Sequence, residues 1–464
     1  MINLFFDQAL LPAGWARDVT VSVGADGAIA HVETGSTPVG DPGEGMRRCH
    51  GIALPGLGNL HSHAHQRALA GLAERSGPGR DSFWTWREAM YRFVARLDPE
   101  GLEAIAAALY ADMLEAGYTA VAEFHYLHHG PDGTPYEDRA EMARRCHAAA
   151  RTAGIGMTLL PVLYRHGDFG GAAPGEGQRR FVNDAEGFAA ILEAVARDLA
   201  DDPDAALGIA PHSLRAVDAD LIEAGRAALD RLRPGEGAPI HIHVAEQRRE
   251  VDACVAWSGR RPVEWLMEHA PVDARWCLIH ATHLSEAETL GLAKSGAVAG
   301  LCPTTEANLG DGLFPAEAYT GAGGRWGVGS DSHVSIDPRE ELRWLEYGRR
   351  LAGHARTVLA GGPDRSTGRT LWEAACAGGA QACGRPIGAI APGRRADIVV
   401  LDPEASLLAG RDGDAILDTF VFVGGPSPVR EVFVGGRGVV ESGRHRDRAA
   451  IDAALRRTLE RLAA

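Results

Sequence analysis

Apolar and polar positions divide the 464-residue chain into three stretches. Residues 1 to about 53 form short alternating runs, such as 18–23, separated by turns such as 24–27. This pattern is typical of short strands and predicts a small all-β piece. From Leu54 the pattern changes to apolar strand, loop and amphipathic helix, and it repeats up to about Gly384. The β pattern then returns over 395–402 and in a hairpin over 429–440 with a Gly-Gly turn.

The middle stretch predicts eight strands that alternate with helices. The first strand follows Leu54, and the others lie at 118–124, 155–164, 206–210 and around His241, Cys277, Val298 and Val328. Helical segments fill most gaps, for example 99–116 with Gly117 as a C-cap signal, 184–200 and 218–231. This order indicates an α/β fold, a (β/α)8 TIM-type barrel. We predict a barrel domain over 54–384 and a small discontinuous β-sandwich domain built from both chain ends, 1–53 and 385–464.

Two predicted connections in the barrel exceed the usual two to six residues. One runs from Gln66 to about Arg92 and contains the tryptophan-rich run 80–87. The other spans 165 to about 181 and is rich in glycine. Long loops at the C-terminal face of a barrel commonly act as lids or bind substrate, and we expect that role here.

Composition narrows the possible partners and compartments. The net charge of −15 at pH 7 disfavours nucleic acid and anionic membranes as partners, and solubility is its simplest explanation. The seven cysteines include no Cys-x-x-Cys pair, so the sequence suggests neither a disulfide framework nor a thiolate zinc site. Several, such as Cys277 and Cys302, sit in apolar strands and are predicted to be buried thiols, which fits a reducing cytoplasm. The first seven residues lack the features of a signal peptide, and no apolar run approaches the roughly 20 residues of a membrane span.

Metal-binding side chains stand at the ends of several predicted barrel strands. His61 and His63 lie two positions apart on an extended strand, so both imidazoles face the same side. His243 and Asp331 end the fifth and eighth strands, at the barrel end where active sites lie. We predict that these four residues bind one divalent metal ion, with Zn²⁺ preferred and Fe²⁺ or Mn²⁺ as alternatives.

Three imidazoles and one carboxylate leave an open position for water, as in catalytic metal sites, and such a metal lowers the pKa of that water. Asp331 could ligate through one oxygen and accept the water's proton with the other. His280, at the end of the sixth strand, could stabilise the charge that develops on the attacked group. Glu246 could carry a proton to a leaving nitrogen. The predicted catalytic residues are therefore Glu246, His280 and Asp331.

The remaining histidines have simpler interpretations. His241 shares the inward face with His243, and we expect it lower in the barrel, behind the ligands. His65 continues the alternation of His61 and His63 and is an alternative third ligand, although the chain is expected to turn before it. We expect loop or surface positions for His128, His129, His283, His333 and His354.

The ordered set His61-x-His63, His243, His280 and Asp331, with short β strands at both chain ends, resembles the amidohydrolase superfamily over nearly the whole chain. Binuclear members carry a carboxylated lysine at the end of the fourth strand. This chain has Ala210-Pro211-His212-Ser213 there, so the resemblance implies a mononuclear member. The His243-x-x-Glu246 pair is similar to the deaminases of the superfamily, in which the glutamate handles the proton.

Five segments resemble the formimidoylglutamate deiminase family within that superfamily, namely 59–64, 81–87, 122–126, 212–215 and 302–312. The resemblance implies hydrolysis of N-formimidoyl-L-glutamate to N-formyl-L-glutamate and ammonia, in histidine degradation, by a homodimer. The chain departs from the family at His65, where an aromatic residue is expected. A small dicarboxylate substrate needs cations away from the metal, and we predict that Arg87 and Arg215 bind its carboxylates. Gln66, Tyr126 and His212 complete the predicted substrate-binding set.

Two other functions stay open at this point. A deaminase of a heterocycle such as guanine would need aromatic walls and amide groups for a ring, rather than two arginines. A barrel that holds metal only as a non-enzymatic scaffold would need neither Glu246 nor His280, and its metal would need no open position.

Overall fold

The computed structural model of the protein describes residues 2–36, 46–74, 83–235, 237–362 and 365–463. Within them the β-strands are β1 (Ile2–Leu11), β2 (Gly14–Val23), β3 (Ile29–Glu33), β4 (Met46–Pro55), β5 (Leu57–Ser62), β6 (Tyr118–His125), β7 (Gly156–Leu163), β8 (Ala205–Leu207), β9 (Ala210–Pro211), β10 (Ile240–Val244), β11 (Trp276–His280), β12 (Val298–Leu301), β13 (Arg325–Val328), β14 (Ile398–Leu401), β15 (Val429–Val434), β16 (Arg437–Glu441) and β17 (Arg444–His445).

The α-helices of the same residues are α1 (Phe83–Val94), α2 (Pro99–Ala116), α3 (Glu141–Ala153), α4 (Ala185–Leu199), α5 (Ala219–Leu232), α6 (Arg248–Ser258), α7 (Pro262–His269), α8 (Glu286–Ser295), α9 (Pro303–Leu309), α10 (Ala316–Gly321), α11 (Pro338–Gly353), α12 (Thr367–Ala382), α13 (Asp414–Phe422) and α14 (Arg448–Ala463). Short 3-10 helices cover Ala64–Leu69, Glu176–Gln178 and Ser406–Leu408.

Strands β5 to β13 pair in parallel and close into the predicted barrel, in which β8 and β9 share the fourth position. Bridges of Ile209 with Ile240 and of Ser213 with His243 join the fourth position to β10. A bridge between Ser62 and Asp331 closes β13 onto β5. Gly329 allows this closure, because an added Cβ there would lie 2.7 Å from the backbone nitrogen of His61.

The barrel helices begin and end where the sequence indicates. The side chains of Asp98, Asp184 and Asp218 accept backbone N–H bonds at the starts of α2, α4 and α5, as capping residues do. Gly117 ends α2 with φ at 109°, a left-handed conformation that suits glycine. The barrel strands between these helices are almost entirely buried, as expected of a parallel sheet covered on both faces.

Both chain ends contribute to one mixed sheet, in the order β17-β16-β15-β14-β4-β1-β2-β3. Strand β4 runs parallel to β1 and antiparallel to β14, so the two ends of the chain meet in the middle of this sheet. Its inner face has its own apolar core, which includes Phe6, Val21, Ile398 and Phe433. The prediction of a TIM-type barrel with a β-sandwich domain built from both ends is confirmed.

Two details differ from the prediction. Residues 54–55 belong to β4 of the mixed sheet, and the first barrel strand begins at Leu57. The predicted loop over 66–92 is wrong for most of its described part, since a 3-10 helix covers Ala64–Leu69 and α1 covers Phe83–Val94. Residues 75–82 of that connection lie outside the described ones. No helix among the described residues is long and apolar enough to cross a membrane.

Candidate active site

The four predicted metal ligands converge at the C-terminal end of the barrel. His61 lies one residue before the end of β5, His63 follows that strand, His243 lies near the end of β10, and Asp331 follows β13. The Nε2 atoms of His61 and His243 lie 3.0 Å apart. Asp331 Oδ1 lies 3.5 Å from His61 Nε2 and 3.4 Å from His63 Nε2. All four side chains are buried.

Hydrogen bonds from the barrel orient two of these imidazoles. His63 Nδ1 donates to the Phe124 carbonyl at 2.9 Å, and His243 Nδ1 donates to the His212 carbonyl at 3.0 Å. The Nε2 atoms of both rings therefore carry the lone pairs that a metal requires, and a bond of this kind is the usual support of a metal-binding histidine.

The electrostatics of the cluster also fit a cation. Burial first, and then the neighbouring histidines, lower the pKa of His61 and His243 well below the ordinary value. Burial likewise lowers the pKa of His63, although Asp331 opposes it. Neutral imidazoles that face one another and a carboxylate are the donor set of a divalent metal site. The residues present therefore fit the predicted ion.

The loops that follow the barrel strands hold unusual backbone conformations. Ala245, His280, Ala281, Asp331 and His333 have φ between 46° and 67°, although none of them is glycine. L-residues adopt this left-handed region rarely, and such residues cluster at functional sites. The cluster at the ends of β10, β11 and β13 marks the same place as the ligands.

Glu246 and His280 lie beside the ligands, as predicted. His280 Nε2 lies 3.7 Å from Glu246 Oε1 and 3.8 Å from Asp331 Oδ2, so the imidazole stands between the two carboxylates. Burial lowers the pKa of His280, but Glu246, Glu306 and Asp331 outweigh it and raise the value to about 10. Burial raises the pKa of Glu246 to about 7, against the effect of His280 and Arg215. This geometry can hold and move a proton.

Two carboxylates that the sequence did not single out support this pair. Glu306, at the start of α9, accepts from His280 Nδ1 at 3.3 Å and from the backbone N–H of Cys302 at 2.9 Å. Glu250 accepts the backbone N–H groups of Ala245 and Glu246 at 3.1 and 3.0 Å and fixes the turn after β10. Glu306 lies in the run 302–312 that carried the family resemblance, which was the available signal.

A cavity with about 580 Å³ of empty space opens above the ligands. The predicted substrate-binding residues Gln66, Arg87, Tyr126, His212 and Arg215 all line it, together with His63, His243, Glu246, His280 and Asp331. Most of the remaining wall is apolar or aromatic, with Phe83, Trp86, Met90, Tyr91, Tyr164, Phe181 and Leu309. The cavity therefore offers both cations and aromatic faces to a ligand.

The two arginines of this cavity rest on aromatic rings rather than on acids. Arg87 Cζ lies 4.6 Å from the Trp84 ring centre, and Arg215 Cζ lies 5.9 Å from it. Neither guanidinium has an ion-pair partner within 4.0 Å among the described residues, and the Nε of each is buried without a hydrogen-bond partner there. Burial lowers the pKa of Arg215, but Glu250 and Glu246 outweigh it and raise the value.

The five histidines predicted to lie in loops or at the surface differ in their burial. His128, His129 and His333 lie in connections between helices and strands, as predicted, but their side chains are buried, whereas His354 is exposed and His283 half-buried. His128 and His129 donate to the carbonyls of Val162 and Val182 at 2.9 and 3.0 Å. These acceptors lie far from His128 and His129 along the chain, so the residues near the two histidines in sequence do not indicate that their side chains are buried.

His333 and Glu123 support the loop that carries the first two ligands. His333 Nε2 accepts the backbone N–H of His63 at 3.2 Å. Glu123 accepts from Ser62 Oγ at 2.5 Å and from the backbone N–H of Ala64 at 2.7 Å. Burial raises the pKa of Glu123 to about 7, against these bonds. Neither residue was predicted to serve the site.

His65 and His241 lie apart from the ligand nitrogens. His65 Nε2 lies 3.0 Å from the Tyr126 hydroxyl, which also accepts from Gln66 Nε2 at 2.9 Å. His241 lies lower in the barrel, as expected, and donates to the Ala382 carbonyl at 2.8 Å rather than contacting a ligand. All seven cysteines are buried and free, including Cys277 and Cys302, which were predicted to be buried thiols.

Comparison with known proteins gives two family matches and several close relatives. A model described as "Amidohydrolase family" matches residues 52–439, and one described as "Formimidoylglutamate deiminase HutF, N-terminal domain" matches 1–45. The chain is 54% identical over 445 residues to formimidoylglutamate deiminase of Pseudomonas aeruginosa, with 96% of each chain covered. It is 29% identical over 464 residues to a 5-methylthioadenosine/S-adenosylhomocysteine deaminase of Natronomonas pharaonis, with 98% of this chain and 96% of that one covered. The crystal structure of an amidohydrolase from Brucella melitensis is 52% identical, with a TM-score of 0.93 and 100% of both chains covered.

Proposed function

The chain belongs to the amidohydrolase family, and from that premise we propose that it hydrolyses N-formimidoyl-L-glutamate to N-formyl-L-glutamate and ammonia. The relative from Pseudomonas aeruginosa, named formimidoylglutamate deiminase and alike over 96% of each chain, supports the substrate. The proposal includes a single Zn²⁺ ion, a barrel domain over 54–384, a homodimer in the cytoplasm and no nucleic-acid or membrane partner. We assign this reaction to the pathway of histidine degradation.

One observation carries the proposal: a single cavity combines the four-residue ligand set with two arginines that have no acidic partner among the described residues. N-Formimidoyl-L-glutamate has two carboxylates and one amidine group. Arg87 and Arg215 bind the carboxylates through their guanidinium forks, which match carboxylate geometry. The amidine then lies toward Glu246, His280 and Asp331, which line the same cavity.

His61, His63, His243 and Asp331 would hold the metal ion, which supplies Lewis-acid activation of a water molecule when bound. His280 stands 3.8 Å from Asp331 Oδ2 and 3.7 Å from Glu246 Oε1, within range of both proton carriers. Glu306 accepts from its other ring nitrogen and fixes the direction of the ring.

The proposed reaction transfers both protons of the water molecule to the terminal nitrogen of the amidine. The water oxygen attacks the formimidoyl carbon, and Asp331 Oδ2 accepts a proton from that water. His280 donates a hydrogen bond to the attacking oxygen and stabilises its charge. Glu246 delivers a proton to the terminal nitrogen, which gives a tetrahedral adduct with one hydroxyl and one amino group. When the adduct collapses, its hydroxyl returns a proton to Glu246 and the proton held by Asp331 passes to the amino nitrogen. The carbon–nitrogen bond breaks with its electron pair on nitrogen, and ammonia leaves. The carbon keeps the oxygen as the carbonyl of the formyl group.

The aromatic wall of the cavity favours a second candidate, a deaminase of a heterocycle such as guanine. Phe83, Trp86 and Tyr91 could stack on a ring, and a relative named 5-methylthioadenosine/S-adenosylhomocysteine deaminase is 29% identical. Two guanidinium groups without an ion-pair partner among the described residues oppose this candidate, because a neutral ring would leave both charges unpaired. A non-enzymatic scaffold would leave Glu246 and His280 without a role.

Ammonia release from a panel of substrates tests the proposal. We expect rapid release from N-formimidoyl-L-glutamate and much slower release from N-formimidoyl-L-glutamine and N-formimidoylglycine, which each lack one carboxylate. Guanine and adenosine serve as the rival substrates. Equal rates with the dicarboxylate and the monocarboxylates would contradict the arginine roles, and turnover of the rings alone would favour the heterocycle deaminase.

A further inference from the structure

We propose that Asp311 is a positioning residue, which holds the carboxyl group of Glu246 from the side away from the substrate. This inference rests on the proposed function, in which Glu246 delivers the proton to the leaving nitrogen. One carboxylate oxygen of Glu246, one of Asp311 and one ring nitrogen of His280 all lie within 4.8 Å of one another. Glu246 and His280 line the cavity, whereas Asp311 is not among the residues that line it.

The backbone brings Asp311 to this place through α9. Its N–H donates to the carbonyl of Glu306 at 2.9 Å, and Glu306 is the residue that orients His280. On the other side of Asp311, Gly312 packs so closely that an added Cβ would lie 3.1 Å from His283 Cε1. The loop is therefore fixed at both sides of Asp311, and its side chain is only 5% exposed.

The hydrogen bonds of Asp311 are incomplete without a further partner. Oδ1 accepts from the side chain of Gln247, the residue after Glu246, but Oδ2 is buried without a partner among the described residues. A buried carboxyl oxygen without a partner destabilises a protein, so native structures rarely keep one without a purpose. The Glu246 carboxyl lies within 4.8 Å, beyond a hydrogen bond as the side chains stand. A small rotation of either side chain would form that bond when the pair holds one proton.

The charges around the pair agree with a shared proton. Burial first, and then the charge of Glu246, raise the pKa of Asp311 to about 9, although His280 opposes them. Burial, helped by Glu250 and Asp331, raises the pKa of Glu246 to about 7. Two ionised carboxylates at this separation repel one another, so the pair favours a state in which it holds one proton. Glu246 is thereby kept in one rotamer that faces the cavity.

Asp311→Ala and Asp311→Asn, compared by kcat and KM for N-formimidoyl-L-glutamate, test the inference. We expect Asp311→Ala to lower kcat by about 10- to 100-fold with KM nearly unchanged, because misplacing a proton carrier slows the chemical step without touching the arginines. Asp311→Asn should stay within about threefold of wild type, since its amide N–H can replace the carboxyl hydrogen bond. Bound metal should be unchanged in both variants.

The Glu246→Gln background separates positioning from general stability. If Asp311 acts through Glu246, adding Asp311→Ala to the Glu246→Gln variant should cause little further decrease in kcat. Asp397→Asn is a matched control, because Asp397 is also buried with an unpartnered Oδ2 but lies in the β-sandwich domain. It should lower Tm and leave kcat unchanged. If Asp311→Ala does not fold, Asp311→Ser carries the same comparison.

Three results would overturn the inference: wild-type kcat in Asp311→Ala, an equal loss of kcat in the Glu246→Gln background, or an effect confined to KM. Failure of the proposed function is a different result, since wild-type protein would then release no ammonia from N-formimidoyl-L-glutamate. Turnover of another substrate by the wild type would allow the same Asp311 comparison with that substrate.

Discussion

The floor of the cavity and its recognition wall are built in different ways. The floor consists of the four predicted ligands and the two residues beside them, all within 6% exposure, on strand ends and the turns that follow them: His61, His63, His243, Glu246, His280 and Asp331. The recognition wall consists of α1 and the segments that follow β7 and β9, with Arg87 half-buried on the helix and Arg215 after β9. The floor is joined to the barrel by backbone bonds, such as Asp331 N–H to the His61 carbonyl at 3.0 Å.

The two regions differ in whether their polar groups have hydrogen-bond partners within the protein. On the floor, His63, His243 and His280 each have a protein partner for the ring nitrogen that faces away from the site. In the wall, Arg87 and Arg215 each keep a buried Nε without a partner among the described residues. The floor is thus organised before a ligand arrives, whereas the wall keeps donors free for one. We expect floor substitutions to affect every substrate and wall substitutions to affect only some.

The largest expected effect is that of His243→Ala. The variant should lose most of its bound metal and lower kcat/KM by more than about a thousandfold with every substrate, because the metal and its orientation are lost together. Metal content by mass spectrometry and ammonia release with three substrates measure this. Full metal occupancy in the variant would remove His243 from the ligand set, and a loss confined to one substrate would place it in the wall.

The second effect is that of Glu246→Gln, which keeps the shape of the side chain and removes its proton. We expect kcat to fall by about a hundredfold or more, the usual scale for a general acid, with metal content unchanged. Since Glu246 belongs to the floor, the factor should be similar for all accepted formimidoyl substrates. Near-normal turnover would mean that another group protonates the leaving nitrogen.

The third effect is selective and belongs to the wall. Arg215→Met and Arg87→Met should each lower kcat/KM for the dicarboxylate by about 30-fold or more, or at least about 2 kcal/mol, since a carboxylate is left unpaired in the cavity. The loss should be much smaller with a substrate that lacks the corresponding carboxylate. Arg249→Met is a matched control, because Arg249 lies 4.4 Å over the same Trp84 ring but is not among the residues that line the cavity.

These arginine variants also test the metal independently. Bound metal and Tm should remain near wild-type values, because Arg87 and Arg215 contact aromatic rings and none of the four ligands. Equal losses of kcat/KM with dicarboxylate and monocarboxylate substrates would show that the arginines stabilise the structure of the wall rather than bind the substrate carboxylates. An unchanged kcat/KM in both variants would contradict the proposal that Arg87 and Arg215 bind the substrate carboxylates.

The floor was largely predictable from sequence, and the reason is the period of the β-strand. Alternation places His61 and His63 on one side, and parallel strands bring His243 and Asp331 to the same barrel end. The supports were less predictable, since Glu306, Glu250 and His333 act through hydrogen bonds between residues brought together by folding. Helix α1 was missed because its run of aromatic residues has little helical preference of its own, and packing decides such cases.

The smallest expected effect is that of His65→Phe, at the border of the two regions. His65 is 1% exposed, contacts the Tyr126 hydroxyl at 3.0 Å and is not among the residues that line the cavity, so neither metal nor substrate depends on it directly. Tyr126 keeps the hydrogen bond from Gln66, and one lost bond contributes about 0.5–1.5 kcal/mol. We therefore expect kcat/KM to change by less than about tenfold, with metal content unchanged. Loss of metal in this variant would make His65 a ligand and extend the floor toward the wall. A large loss with the dicarboxylate alone would instead show that the wall depends on the position of Tyr126, through a residue two places from His63.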